Sequence, residues 1–266
     1  MDGIAAFERN TIDLISLLAR CLPGLRHWRE EGLVITLAGW SAAVQFNGVL
    51  VLDQQIITPQ RLAALETIFA EEALPFGIEI CCRTPIPTCD STLRDCGYSL
   101  TLSEPIMICR GALTVPPLNP AVQIKAINGL ADREHYKRIM VESFNISAGV
   151  SQEIFDVMLS LTESQQYIAW LHDEPVGTGM LFNLSGTASI YNVATLPNAR
   201  RQGVATAMMA TLHAQALASG NEGTVLVVQS DAGLALYKRL GYQQEGYHCI
   251  YERSIQPPTP ADTPAI

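Results

Sequence analysis

Between Ala188 and Val228 the period of the apolar residues changes twice, setting out a strand, a helix and a second strand. Ala188–Thr195 (ASIYNVAT) is short and rich in Ile, Tyr and Val, and it is bounded by Gly186 and by Leu196-Pro197-Asn198. That is the composition and punctuation of a strand. From Val204 the apolar residues recur at Met208, Leu212 and Ala216, with Ala207, Ala210 and Ala214 between them, until Gly220 stops the pattern. This predicts a helix with a glycine at its C-terminus. Residues 224–228 (TVLVV) read as the next strand.

The same reading orders the rest of the second half. Residues 122–126 form a first strand, 131–144 and 152–161 two helices, and 167–171 with 176–183 a hairpin turning at His172-Asp173-Glu174-Pro175. A last strand runs over 245–253. Strands and helices interleaved in this way predict an α/β fold, a central mixed sheet flanked by helices.

Between the strand and the helix stands Arg200-Arg201-Gln202-Gly203-Val204-Ala205-Thr206. The first N–H groups of a helix have no acceptor within it, and the helix dipole makes that end positive. Gly203 places no side chain in front of those groups, Ala205 is small, and two arginines add charge. The loop is therefore a cradle suited to a pyrophosphate.

This run resembles motif A of the GNAT superfamily, the acyl-CoA-dependent N-acetyltransferases, in which Arg or Gln, two residues, Gly, one residue, and Gly or Ala follow in order. Arg200, Gly203 and Ala205 hold those places. Residues 233–242 (GLALYKRLGY) resemble the family's motif B, a helix ending in Gly-aromatic, and the resemblance spans about residues 122–253. It implies acetyl-CoA as co-substrate, held by Arg200, Arg201, Gln202, Gly203, Val204, Ala205 and Thr206, and by backbone groups of Val193, Ala194 and Thr195 where the motif A strand splays. Ser230, in place of the usual Asn, would hydrogen-bond pantetheine less fully. Tyr237, four residues before Gly241, would be the general acid that protonates the departing CoA thiolate; its alternative role is packing. Where some members carry a Glu base on the motif A strand, this chain has Ser189; Tyr191, Glu153 and Glu163 could act through water.

The function so implied is transfer of an acetyl or other short acyl group from acetyl-CoA to an amine of a small molecule or peptide. The alternative is a non-catalytic acyl-CoA-binding sensor, favoured by the missing Glu and opposed by the retained tyrosine. Neither G-x-G-x-x-G nor G-x-x-x-x-G-K-[ST] occurs at the loop, which argues against a dinucleotide or ATP.

The first half repeats this order without the chemistry. Leu93 to Tyr98 echoes Tyr237 to Tyr242, and Gly97 and Gly241 stand 144 residues apart. In that register residues 44–52 lie opposite the motif A strand, 59–73 opposite its helix and 78–81 near the strand that follows, while Ile56, Pro59 and Arg61 face Arg200, Gly203 and Ala205. The expectation is two tandem GNAT-like domains. Residues 1–110 form a degenerate one without a CoA loop and 121–255 the acetyltransferase domain; 111–120, with three prolines, is the linker and 256–266, with four, a disordered tail.

Composition narrows the partners. The 266 residues, 48% of them apolar, suffice for two cores. A net charge of −9 with no basic stripe beyond Arg200-Arg201 argues against nucleic acid and slightly favours a cationic amine substrate. No apolar run is long enough for a membrane span and the start lacks a signal peptide, so a cytoplasmic protein, monomer or homodimer, is expected. The seven cysteines include no C-x-x-C pair, and Cys81 and Cys82 fit small apolar packing. His213 sits at helical spacing among apolar residues with no second histidine at ligand spacing, so no metal is expected.

Overall fold

The protein is described by a computed structural model of residues 2–39, 46–144, 152–183 and 186–253. Its first half contains α1 (Gly3–Cys21), β1 (Leu25–Glu30), β2 (Leu33–Ala38), β3 (Gly48–Val51), α2 (Pro59–Ala70), β4 (Gly77–Cys82), α3 (Asp90–Asp95) and β5 (Tyr98–Arg110). The second half continues with β6 (Val122–Ala126), α4 (Leu130–Phe144), α5 (Gln152–Ser160), β7 (Ser164–Leu171), β8 (Glu174–Phe182) and β9 (Ala188–Thr195). It closes with α6 (Val204–Ala218), β10 (Gly223–Val227), α7 (Asp231–Leu240) and β11 (Gln243–Arg253). No helix among the described residues is long and apolar enough to cross a membrane.

Two compact units form, and they interleave along the sequence. One holds the chain up to Pro23 together with Glu104–Tyr247; the other holds Gly24–Ser103 and the chain from His248. The expected boundary at 111–120 falls inside the former, because α1 and the end of β5 pair with residues far ahead of them. Long-range pairing of this kind leaves no local signal. The segment 111–120 has no regular element but is fastened: Thr114 N–H donates to Leu240 O at 3.0 Å, and Leu113 packs on the core. The expected tail, 256–266, lies outside the described residues.

In the former unit the sheet order is β11-β5-β10-β9-β8-β7-β6. β9 and β10 are parallel, joined by α6, while β5 with β10 and the ladder from β9 to β6 are antiparallel. The β7–β8 turn is tighter than expected. Only His172 and Asp173 make it, both at positive φ, the two-residue turn whose twist matches the strands, so Glu174 and Pro175 belong to β8.

Successive residues of a strand face opposite ways, and the two faces are covered differently. Tyr167 and Ala169 join Met208, Leu212 and Ala216 of α6, whereas Ile168 between them joins Tyr136, Ile139 and Met140 of α4. α1 lies on the α4 face, since its Asn10 Nδ2 donates to Ser189 Oγ at 2.7 Å while Ala188 and Ile190 face α6. His213, on α6, is structural. Its Nε2–H donates to Gly111 O, its Nδ1 accepts from Thr224, and burial lowers its pKa.

The other unit has the order β1-β2-β3-β4-β11-β5. β3 and β4 are parallel and joined by α2, whose Leu62, Leu65 and Phe69 are buried. Both halves thus run strand, helix, parallel strand, helix, then a glycine at positive φ: Gly97 and Gly241. The repeated order supports the tandem arrangement. Cys81 and Cys82 are buried in β4.

Candidate active site

The motif A strand is irregular where the chemistry would sit. β8 pairs with β9 from Phe182↔Ser189 to Met180↔Tyr191 and again at Thr178↔Ala194 and Gly177↔Thr195, so Asn192 and Val193 together stand opposite Gly179. This is a β-bulge, and Asn192 takes φ +56° to make it. One added residue inverts the alternation beyond it. Val193 packs with the α6 core beside Ile190, and Ala194 turns to the α4 core.

One hydrogen bond holds the bulge. Thr178 Oγ1 donates to Asn192 O at 2.8 Å, and the buried Tyr136 hydroxyl approaches the Asn192 side chain without meeting it in hydrogen-bonding geometry. Gly179 lets α6 close on the strand, because a Cβ there would lie 2.7 Å from Met208 Sδ. On its other edge β9 pairs with β10 only at Ala188↔Thr224 and Ser189↔Val225, so the strands part beyond Ser189. The splay expected at Val193, Ala194 and Thr195 is thus a bulge on one edge and an opening on the other.

The loop after β9 ends in the bare start of α6. Arg201 takes φ +64°, which costs a non-glycine residue on the order of 1–3 kcal/mol. Gly203 follows at φ +83° as the N-cap, with no side-chain cap bond, so the N–H groups of Val204, Ala205 and Thr206 open outward. Arg200 Nε donates to Thr195 O at 3.2 Å, which leaves its terminal nitrogens for another partner. Arg201 and Gln202 are exposed. Asn119, which the sequence pattern did not single out, donates through Nδ2 to Gln202 O at 2.9 Å and fixes the loop. The Thr195 hydroxyl, at the end of β9, is buried without a partner. Bare helix N–H groups and free guanidinium nitrogens fit a phosphate.

At α7, Ser230 is the N-cap, its Oγ accepting from Gly233 N at 3.1 Å. One lone pair is therefore committed, and the exposed hydroxyl keeps its proton to donate. Tyr237 is buried on α7 against Tyr242, ring centroids 5.8 Å apart, and burial pushes its pKa up to about 12. Its hydroxyl bonds no group among the described residues. Such a phenol stays protonated through neutral pH and has a proton to donate.

Ser189 and Tyr191 face α1, a helix that the sequence pattern did not reveal. Ser189 Oγ is tied to Asn10, whose Nδ2 also donates to Thr187 O at 2.7 Å. The Tyr191 hydroxyl is buried beside Ser189 and Thr11, meets neither in hydrogen-bonding geometry, and has its pKa pushed up to about 12. Glu163 is near the start of β7, far along the sheet from the bulge, and the side chain of Glu153 lies outside the described residues. Among the described residues no group of His, Cys, Asp and Glu could hold a metal ion.

Comparison with known proteins agrees with this geometry. Residues 162–244 match the family model of the acetyltransferase (GNAT) domain. A GCN5-related N-acetyltransferase from Kribbella flavida is 19% identical over 92% of this chain and 95% of its own, with a TM-score of 0.68. One from Sphaerobacter thermophilus is 14% identical over 96% and 93%, TM-score 0.65. A tandem GNAT protein from the clavulanic acid biosynthesis pathway is 10% identical over 93% and 89%, TM-score 0.65. No curated protein matches significantly. Residues 162–244 thus resemble a GNAT acetyltransferase domain, set in a mixed α/β fold shared with GNAT structures over most of the chain.

Proposed function

We propose that the protein is a cytoplasmic N-acetyltransferase that moves an acetyl group from acetyl-CoA to the amine of a small molecule or peptide, using one site in the second half. The observation that carries this reading is the bare N-terminus of α6 opening beside the parted strands β9 and β10. The N–H groups of Val204, Ala205 and Thr206, with Arg200 and Arg201, hold the pyrophosphate; Gln202, pinned by Asn119, shapes the loop. The backbone of Val193 and Ala194, freed by the bulge, bonds the pantetheine arm and polarises the thioester carbonyl. Ser230 donates to the same arm from its exposed hydroxyl.

Tyr237 gives its proton to the departing thiolate. A pKa near 12 keeps that proton in place until a strong base appears beside it. The first half binds no CoA in this account. Its contribution to the acetyltransferase unit is α1 and the end of β5, which complete the α4 face and the edge of β10.

The test is Tyr237→Phe, which keeps the ring and its packing. Turnover measured by thiol release should fall on the order of 10²–10⁴-fold, with acetyl-CoA affinity by calorimetry unchanged. Equal turnover would make the tyrosine structural. Binding of acetyl-CoA with no thiol release across a panel of amines would leave the sensor reading standing.

A further inference from the structure

We infer that Cys82 and Cys249 are a site of reversible oxidation, at which hydrogen peroxide joins the two sulfurs as a disulfide that ties β11 to β4. The inference is independent of the transfer reaction and concerns residues that the acetyltransferase reading leaves unused.

Cys82 ends β4, and Cys249 lies in the part of β11 that belongs to the same compact unit, where the two strands are neighbours in the sheet. Their sulfurs are 3.9 Å apart. A disulfide needs about 2.05 Å, so each sulfur has to move roughly 1 Å, a small turn of the side chain.

Packing alone does not account for the way these sulfurs are placed. A cysteine that fills space in a core behaves as a small hydrophobe. Here each sulfur meets polar atoms as well as the other: Cys82 Sγ lies 3.1 Å from Thr84 O, and Cys249 Sγ lies 3.6 Å from both Pro85 O and Ser103 Oγ. Cys109 on β5 is the contrast. Its sulfur reaches Arg110 O at 3.9 Å, burial pushes its thiol up, and no second thiol acts on it.

The two thiols ionise as a unit. A thiolate on Cys249 is held below the ordinary thiol range by the hydrogen bond from the Cys82 S–H, against the opposing effect of burial, while that bond and burial together push Cys82 up. His248 assists and Asp90 opposes the Cys249 thiolate, both less than the bond does. The first negative charge therefore falls on Cys249, and the thiolate is the form that attacks.

The segment after β4 gives access. Arg83, Thr84, Pro85 and Ile86 are exposed, belong to no helix or strand, and lie against the pair through Thr84 O and Pro85 O. Ser103 Oγ donates to Pro85 O at 3.0 Å and holds the segment down. Opening of a short surface segment is a local event that leaves the core folded, and peroxide is small enough to enter by it.

Atoms and electrons balance. The Cys249 sulfur attacks one peroxide oxygen; the O–O bond breaks, Cys249 becomes a sulfenic acid, and the other oxygen leaves as hydroxide, which takes up the proton that Cys249 had shed. The charge that pushed Cys82 up is then gone. The Cys82 sulfur attacks that of Cys249, the S–S bond forms, the S–O bond breaks, and the departing hydroxide takes the Cys82 proton. Two thiols are oxidised by two electrons and one peroxide is reduced to two waters.

The test treats the reduced full-length chain with hydrogen peroxide at neutral pH, alkylates the remaining thiols and digests with trypsin. Cys82 falls in peptide 62–83 and Cys249 in peptide 240–253. The two should appear joined, lighter than their sum by two hydrogens, in most chains, and dithiothreitol should part them. Because Cys81 shares the peptide of Cys82, Cys81→Ser should keep the link and Cys82→Ala should lose it. In Cys82→Ala the sulfenic acid has no second thiol to resolve it, so Cys249 should go on to the sulfinic and sulfonic acids, which dithiothreitol does not reverse. The wild-type arm decides even where a variant fails to fold. A wild-type chain that keeps its native circular dichroism with peptide 240–253 unlinked would overturn the inference. So would a link to Cys89 in peptide 84–94, a link that persists in Cys82→Ala, or one that forms only as the chain unfolds.

Discussion

The helix between β3 and β4 starts at Thr58-Pro59, and the helix between β9 and β10 starts at Gly203-Val204. Both connect parallel strands and bury an apolar face, Leu62, Leu65 and Phe69 in one and Val204, Met208 and Leu212 in the other. Their first turns differ in every feature that matters to an anion. Thr58 Oγ1 accepts from Arg61 N at 3.2 Å, Pro59 has no N–H to give, and the Arg61 guanidinium is paired with Glu30. At α6 the cap has no side chain, three N–H groups face outward, and Arg201 pairs with no carboxylate among the described residues. Packing and an open helix N-terminus are thus separable on one helix. A strand–helix–strand unit keeps its core while its N-terminus is either closed by its own side chains or left open to a ligand.

The largest expected effect comes from closing the open end. Gly203→Glu would force a side chain onto a backbone at φ +83° and set a negative charge at the helix N-terminus. Acetyl-CoA affinity by calorimetry should fall at least about 100-fold, roughly 2.7 kcal/mol, with the folded state retained by circular dichroism. Affinity within threefold of wild type would move the phosphate site elsewhere.

A smaller effect should follow from loosening the bulge, the other feature that α6 has beside it. Thr178→Val keeps the shape but removes the donor to Asn192 O, leaving a carbonyl short of a partner at a cost of about 1–3 kcal/mol. The melting temperature should drop and the KM for acetyl-CoA rise severalfold, with kcat less affected. An unchanged KM would show that the bulge needs no pin.

Most of the second half was legible because its signals are local. The strand Ala188–Thr195 and the start of α6 fall where the periodicity sets them, and Gly220 and Gly241 both take the positive φ expected of glycines that end helices. The uncapped start of α6 was legible for the same reason, since a helix cap is built from consecutive residues. What escaped depends on partners far apart in the chain. α1 lies against β9, 179 residues ahead at the Asn10–Ser189 bond, and the end of β5 lies against β10. No periodicity within α1 or β5 encodes which strand it will meet. The bulge was equally hidden, because Asn192 is an ordinary strand position until its register with Gly179 is known.

The smallest expected effect is at the closed end. Thr58→Ala removes the side-chain cap of α2 and should cost about 1 kcal/mol of stability, read as a lower urea midpoint. Acetyl-CoA affinity should not change. A gain or loss of CoA binding would tie the first-half helix to the cofactor and end the contrast.

The contrast is tested most directly by titrating acetyl-CoA into the full-length wild-type chain and reading the stoichiometry by calorimetry. One site per chain is predicted, with its heat lost in Gly203→Glu. Two sites per chain, or one site that survives in Gly203→Glu, would contradict the assignment of the anion cradle to the start of α6.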